Sequence, residues 1–340
     1  MARRKRKKFK QIEFNRDLSN LEIQTLEFLW MWKVAPITLL KEKIYKTSKW
    51  WTYYKIIRRL KSEKIIYEIP KGKYISHRLL SLTELGYDLF ARDFDFIRSH
   101  RFRVHAPAHD YLATCLQLGD FLHNTDNNVH LVSEQKMQTA LDDELPDGFT
   151  RLMSTRDELY SGHIPDGLTA IYSNNNRIVI GYEVELNLKP ADRYNSMQKY
   201  WFGYRHNKFY EPDIIFFLVR NGWIAKKILN YCCEKEHGSK NKSDKFAFID
   251  LNDFTKLGWD APIRQGLHVG LTVRKVHENY LQIAGKDAAK ITKKVDSSIY
   301  FPKYRSPQKS IAYAKTEVAA SDKHRTPSLE GANLKKVTES

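Results

Sequence analysis

Residues 163–189, HIPDGLTAIYSNNNRIVIGYEVELNLK, constrain the fold more than any other stretch of the chain. Two runs rich in Ile, Val, Leu and Tyr flank a Ser-Asn-Asn-Asn segment, which is the pattern of a β-hairpin, because Asn and Ser suit tight turns. A turn centred between Asn174 and Asn175 pairs the arms so that Asp166 faces Glu183, with their Cβ atoms about 5 Å apart. A turn shifted by one residue moves Asp166 to the other face. Strand alternation places Ile178, Ile180, Tyr182, Val184 and Leu186 on one side of the second arm, and Val179, Gly181, Glu183, Glu185 and Asn187 on the other. Asp166, Glu183 and Glu185 then share a patch, where like charges repel unless something neutralises them. A hard divalent cation such as Mg²⁺ takes oxygen ligands of this kind. The competing reading is a Pro-Asp-Gly turn followed by an amphipathic strand with its glutamates in water.

The 340-residue chain is long enough for two domains and tails, and its 42% hydrophobic and 13% aromatic content supports real cores. A formal charge of +17 and a pI near 9.5 point to a polyanionic partner, nucleic acid before an acidic membrane surface. Cys115, Cys232 and Cys233 form neither a disulfide framework nor a zinc pattern, so reduced thiols and a cytoplasmic location are expected. The longest apolar run, residues 214–219, is strand-sized, so neither export nor a membrane span is expected.

Residues 1–16 open with MARRKRKKFK, a basic arm expected to be disordered when free. Arg3, Arg4 and Arg6 there can neutralise phosphates, or the arm is a solubilising or targeting tail. Across 17–90 the order is helix, helix, helix and two short strands. The first helix, about 19–32, carries Leu21, Thr25, Phe28, Leu29 and Trp32 at helical spacing behind the cap Ser19. A second follows Pro36. A third begins after Lys46, Thr47 and Ser48, with Trp50, Tyr53, Ile57 and Leu60 as its inward stripe and Thr52, Lys55, Arg58 and Arg59 outside. Trp51 either packs at the domain edge or touches nucleic acid, packing being preferred. Next come strands interrupted at Pro70, Lys71, Gly72 and Lys73, and a closing helix capped by Thr83. This order resembles a winged helix-turn-helix domain, which implies a third helix in the major groove and a wing on the DNA backbone.

Residues 91–108 read as a connector with a boundary at Pro107, and His100, His105 and His109 as linker or cap residues rather than metal ligands. Residues 109–284 follow as a second domain. A helix containing Leu112, Leu116 and Leu118 precedes a strand that turns into a helix near Glu134. After the hairpin come a basic aromatic helix, the buried strand at 214–219, another helix, and a strand FAFID, an α+β or α/β order with a mixed sheet flanked by helices. Residues 285–340, poor in large apolar groups, are expected to be a disordered tail.

Pro165-Asp166 with Glu183-Val184-Glu185 resembles the PD-(D/E)xK nuclease superfamily. With the preceding winged helix, upstream Glu134, and downstream Lys189 and Arg193-Tyr194, the chain resembles the replication-relaxation family of mobile elements over residues 20–260. The resemblance implies a Mg²⁺ (or Mn²⁺)-dependent DNA endonuclease or nickase acting in replication, mobilisation or transfer. Asp166 and Glu183 would hold the metal, and Glu134 would be a further ligand or position water. The motif's lysine position holds Glu185, and Lys189 on a continuing strand would stand about 13 Å beyond it. Lys189, Arg193 and Lys199 are therefore expected to contact the DNA backbone. The alternative is a noncatalytic DNA-binding accessory or regulator that recruits a relaxase, replication or transposition protein. Duplex DNA is the expected partner, single-stranded RNA a weaker one, and dimerisation on paired half-sites stays open.

Overall fold

The cap expected at Ser19 starts the first helix, α1 (Asn20–Trp32), and Glu22 completes it. The Glu22 carboxylate accepts the Ser19 N–H and hydroxyl, each at 2.9 Å, satisfying groups that a helix start leaves open. A computed structural model describes residues 16–72, 74–75, 77–93, 104, 106–139, 165–173, 177–201, 212–233 and 242–302 of the chain. Arg3, Arg4, Arg6, Lys73, His100 and His105 lie outside them.

Strand β1 (Val34–Ala35), helix α2 (Ile37–Lys43) and helix α3 (Trp50–Ser62) follow, then strands β2 (Ile66–Ile69) and β3 (Leu79–Leu82) and helix α4 (Glu84–Asp93). The strands form an antiparallel sheet in the order β1-β3-β2. Tyr53, Ile56, Ile57 and Leu60 turn the inner stripe of α3 into the core. Trp50, expected in that stripe, is instead 53% exposed, and Trp51, expected to pack, is 67% exposed. Trp50 is the first residue of α3, and helical side chains lean towards the N-terminus, which carries its ring past the edge of the core. Ile56, not expected there, joins the stripe.

Helix α5 (Pro107–Leu118) begins on proline, whose missing N–H would have had no partner in a first turn. Strand β4 (Val129–Ser133), helix α6 (Glu134–Thr139) and the hairpin β5 (Gly167–Tyr172) and β6 (Arg177–Glu185) come next. Helix α7 (Ala191–Trp201), β7 (Ile214–Val219), α8 (Gly222–Cys233), β8 (Phe246–Asp250), α9 (Leu251–Leu257), β9 (Ile263–Gly266) and α10 (Val273–Ile283) complete the sheet layer. The six strands lie in the order β4-β5-β6-β7-β8-β9. Pairing is antiparallel from β4 to β6, parallel from β6 to β8 and antiparallel at β9. Gly167 pairs with Tyr182 and Leu168 with Gly181, so the expected register holds through β5, and Asp166 stands one residue before its first pair. Glu183 and Glu185 are buried, which removes the reading that they line a wet strand face.

The expected tail is corrected at its start. Residues 285–302 fold into α11 (Ala288–Ile291) and α12 (Ser297–Tyr300), each capped by an aspartate, Asp287 and Asp296. Their composition is polar, but Ile291, Val295 and Tyr300 are buried, and a few well-spaced apolar side chains suffice for so short a segment. The described residues through Pro302 cluster as one compact unit. Ser133 Oγ donates to Met31 O at 2.5 Å, Thr114 Oγ1 to Trp32 O at 3.3 Å and Lys43 Nζ to Leu122 O at 2.6 Å. These bonds fasten the N-terminal helices to the six-stranded layer.

Candidate acid centre and nucleic-acid face

Strand β6 switches from an antiparallel neighbour to a parallel one, and its last residues carry Glu183 and Glu185 at the end of the pair where Asp166 enters β5. The Asp166 carboxylate accepts the Val184 N–H at 2.7 Å, and His109 Nε2 stands 3.3 Å from the same oxygen. Burial works against ionised Asp166, but the His109 charge and the Val184 bond outweigh it and hold the carboxyl below its ordinary range. Burial likewise opposes charge on His109, yet Asp166 and Asp110 lift its pKa to about 11, so the imidazole is a cation at neutral pH. His109, set aside as a linker or cap residue, is therefore part of the centre.

Strand geometry ends at Glu185, and Leu186 and Asn187 bend the chain. The bend returns Lys189 to the centre, where its Nζ donates to Glu185 Oε1 at 2.6 Å. The expected separation of about 13 Å assumed continued extension and is corrected by this bend. Tyr194 on α7 fixes the turn by accepting the Lys189 N–H at 3.1 Å. Burial is the main influence on Glu185 and pushes its pKa up to about 7; Lys189 opposes the rise, and the charges of Glu183 and Asp166 add to it. Glu185 Oε2 is buried without a hydrogen-bond partner among the described residues.

Glu134 begins α6, and its N–H donates to Asp166 O at 3.3 Å, so it borders the centre. Its carboxylate meets Lys33 Nζ at 2.5 Å. Lys33 arrives from the end of α1 with φ of 61°, a conformation that a lysine rarely adopts. Its ammonium is also 3.8 Å from Asp110 Oδ1. Lys33, His109, Asp110, Glu134 and Asp166 border a space of about 20 Å³, enough for one water molecule.

Three acids thus have internal cations: His109 for Asp166, Lys33 for Glu134 and Lys189 for Glu185. Lys33 was missed and His109 set aside because neither has a periodic or short-range relation to the hairpin; only the His109-Asp110 pair at a helix start offered a signal. Among the described residues no group of three or more His, Cys, Asp or Glu is disposed to hold a metal ion. The oxygen donors of Asp166, Glu183 and Glu185 are still of the type Mg²⁺ or Mn²⁺ accepts.

The expected DNA contacts divide into three groups. Thr52, Lys55 and Arg58 are exposed on α3, and Lys71 on the turn after β2. Arg59 is tied to buried Glu22 at 2.8 Å, and Lys189 to Glu185. Arg193 is exposed on α7, which also contains Lys199. Trp50, Trp51 and Tyr54 stand beside the basic residues of α3. No helix among the described residues is long and apolar enough to cross a membrane. No protein-family model matches the chain, and neither the curated proteins nor the solved structures contain a match.

Proposed function

We propose that the chain binds double-stranded DNA through α3 and the β2–β3 hairpin, and presents that DNA to a nuclease-like acid centre. The supporting observation is the outer face of α3, where Thr52, Lys55 and Arg58 are exposed and residues 43–62 include no acid. Helix, strand, two helices and a two-stranded hairpin are the parts of a winged helix, with α3 in the groove-reading position and Lys71 on the wing. At the centre, Asp166 and Glu183 are the candidate metal ligands, Glu185 and Glu134 border them, and Lys189 supplies the positive charge missing from the motif's own lysine position. A bound Mg²⁺ or Mn²⁺ would supply a water of lowered pKa and charge neutralisation at the scissile phosphate. The role in a plasmid or integrative element, with replication, mobilisation or transfer as its process, belongs to the same proposal and rests on the family resemblance.

A second reading has its own observation. Because Asp166, Glu134 and Glu185 are already met by His109, Lys33 and Lys189, three of the acids have cations without metal, as in a noncatalytic accessory protein that recruits a relaxase, replication or transposition protein. The deciding experiment incubates the protein with supercoiled DNA in Mg²⁺, Mn²⁺ or EDTA, with Asp166→Ala and Glu183→Ala alongside. Metal-dependent nicking lost in both folded variants supports the nuclease. Binding without nicking in either metal, on DNA carrying the cognate site, favours the accessory protein. Lys55→Glu with Arg58→Glu should abolish binding in either case, and retained duplex binding would remove α3 from the interface.

A further inference from the structure

The first turn of α3 exposes two tryptophans, Trp50 at 53% and Trp51 at 67%, and Tyr54 follows at 48%. The basic residues of the helix do not account for them. A groove reader recognises base edges through side chains with paired donors and acceptors, whereas indole has a single N–H donor. What indole offers is a flat, polarisable face. Trp50 lies 5.5 Å from the buried ring of Tyr53 and 5.6 Å from Tyr54, tilted by 54° and 51°, so the core anchors it from one side. Lys55 Nζ lies 5.9 Å from the centroid of the Trp51 ring. Trp51, Lys55 and Arg58 recur at intervals of four and three, so one ridge of the helix presents a ring and then two cations.

Lys46 and Lys49 precede this ridge and are exposed. A ring face with a lysine beside it and further cations along the same stretch suits a ligand that combines flat bases with a phosphate backbone. A partner protein would need an acidic surface with its own aromatic inserts. In an intact duplex the base faces are covered by their neighbours, so the rings find no stacking partner there. They do find one where bases are unpaired. We infer that the α3 ridge of Trp50, Trp51 and Tyr54 binds unpaired nucleobases beside a duplex, so that the preferred DNA contains a melted, forked or looped junction. This rests on the DNA-binding reading above and names its substrate.

The test measures affinities of the full chain for three labelled DNAs: a blunt duplex, the same duplex with an unpaired loop, and that loop with its bases removed but its phosphates kept. The looped DNA should bind about tenfold more tightly than the blunt duplex, given base–aromatic stacking of about 1–3 kcal/mol per base. The abasic loop should lose that advantage. Trp51→Ala and Trp50→Ala should lose it too while keeping duplex affinity within about twofold, and Trp51→Phe should restore most of it. Equal affinity for the abasic and base-containing loops, or equal losses of both variants on all three DNAs, would overturn the inference while leaving DNA binding intact. Failure of the unaltered protein to bind any of the three would refute DNA binding itself.

Discussion

Glu22 and Glu185 are both buried carboxylates with cationic partners, but they respond to pH in opposite ways. Burial tends to raise the pKa of Glu22, yet Arg16, at 2.8 Å, and the Ser19 bonds outweigh it and hold the carboxyl near 2 against an ordinary 4.5. Its contribution to stability is whole above about pH 4.5 and is lost as pH falls through that value towards 2. The shift corresponds to about 3 kcal/mol. Glu22→Gln should therefore lower the midpoint of denaturant unfolding at pH 7 and have little effect near pH 2, and an equal loss at both pH values would exclude the ionic role. Glu185 is raised to about 7, because burial disfavours its charge more than Lys189 restores it. Its ionisation is unfavourable to the folded state, a burden absent below about pH 4.5 and complete above about 7. Glu185→Gln should gain stability at pH 8 relative to pH 5, whereas Lys189→Met should lose most at pH 8, where a buried carboxylate is left without its cation. Urea titrations at the two pH values check both signs. Neither sign follows from sequence: the alternation that placed Glu185 beside Glu183 said nothing of how deeply β6 is covered.

The hairpin, among the elements, was the most legible in the sequence, because period-two alternation and turn chemistry specify the same register and a one-residue slip would reverse the faces of every side chain. The helices of the N-terminal region were legible for the same kind of reason, a repeat of apolar residues with a cap in front. What local pattern could not supply is tertiary coverage. The exposure of Trp50 depends on where the core ends, and the return of Lys189 on a bend fixed by Tyr194 from the following helix. The packing of α5 on the sheet also lies beyond local pattern. Gln117 on α5 donates to Val132 O at 3.2 Å and to Leu168 O at 2.6 Å, tying one helix to two strands next to Asp166. A Cβ on Gly167 would come within 2.2 Å of Gln117 Oε1, so Gly167→Ala must displace this amide. A loss of about 2 kcal/mol is expected, since both carbonyls would be left in the interior without their donor. Gln117→Leu should lose a similar amount, and the double variant should fall well short of the sum, because one interaction is removed twice. Full additivity would show that Gly167 is required for some other reason.

The two sheets are held together by the last described segment of the chain as much as by the elements between them. Thr38 Oγ1 on α2 donates to Ile299 O at 2.7 Å, Tyr111 on α5 donates to Tyr300 O, and the Tyr300 hydroxyl donates to Gly119 O at 2.5 Å. Asp120 Oδ1 accepts the Val295 N–H at 2.9 Å. Residues 295–300 therefore touch α2 of the N-terminal region and α5 of the sheet layer at once, from far along the sequence. Polar composition hid this segment because its hold comes from a buried tyrosine and backbone carbonyls, not from a long apolar run. His77 adds a second point of closure, its ring buried 5.2 Å from that of Tyr111 and its pKa pushed down to about 4 by burial. The neutral imidazole is the folded form, so stability at this junction is whole above about pH 6.5 and declines as pH falls towards 4. A chain closed in this way should unfold in a single transition, with α3 and the acid centre losing structure together. Tyr300→Ala should lower the stability of both regions by about 3 kcal/mol, the usual magnitude for removing a large buried aromatic. Hydrogen exchange resolves the two: equal loss of protection in α1 and in β6–β7 is the expected result. Loss confined to the N-terminal helices would mean that the sheet layer stands alone and that the DNA-reading helix and the acid centre are joined without being cooperative.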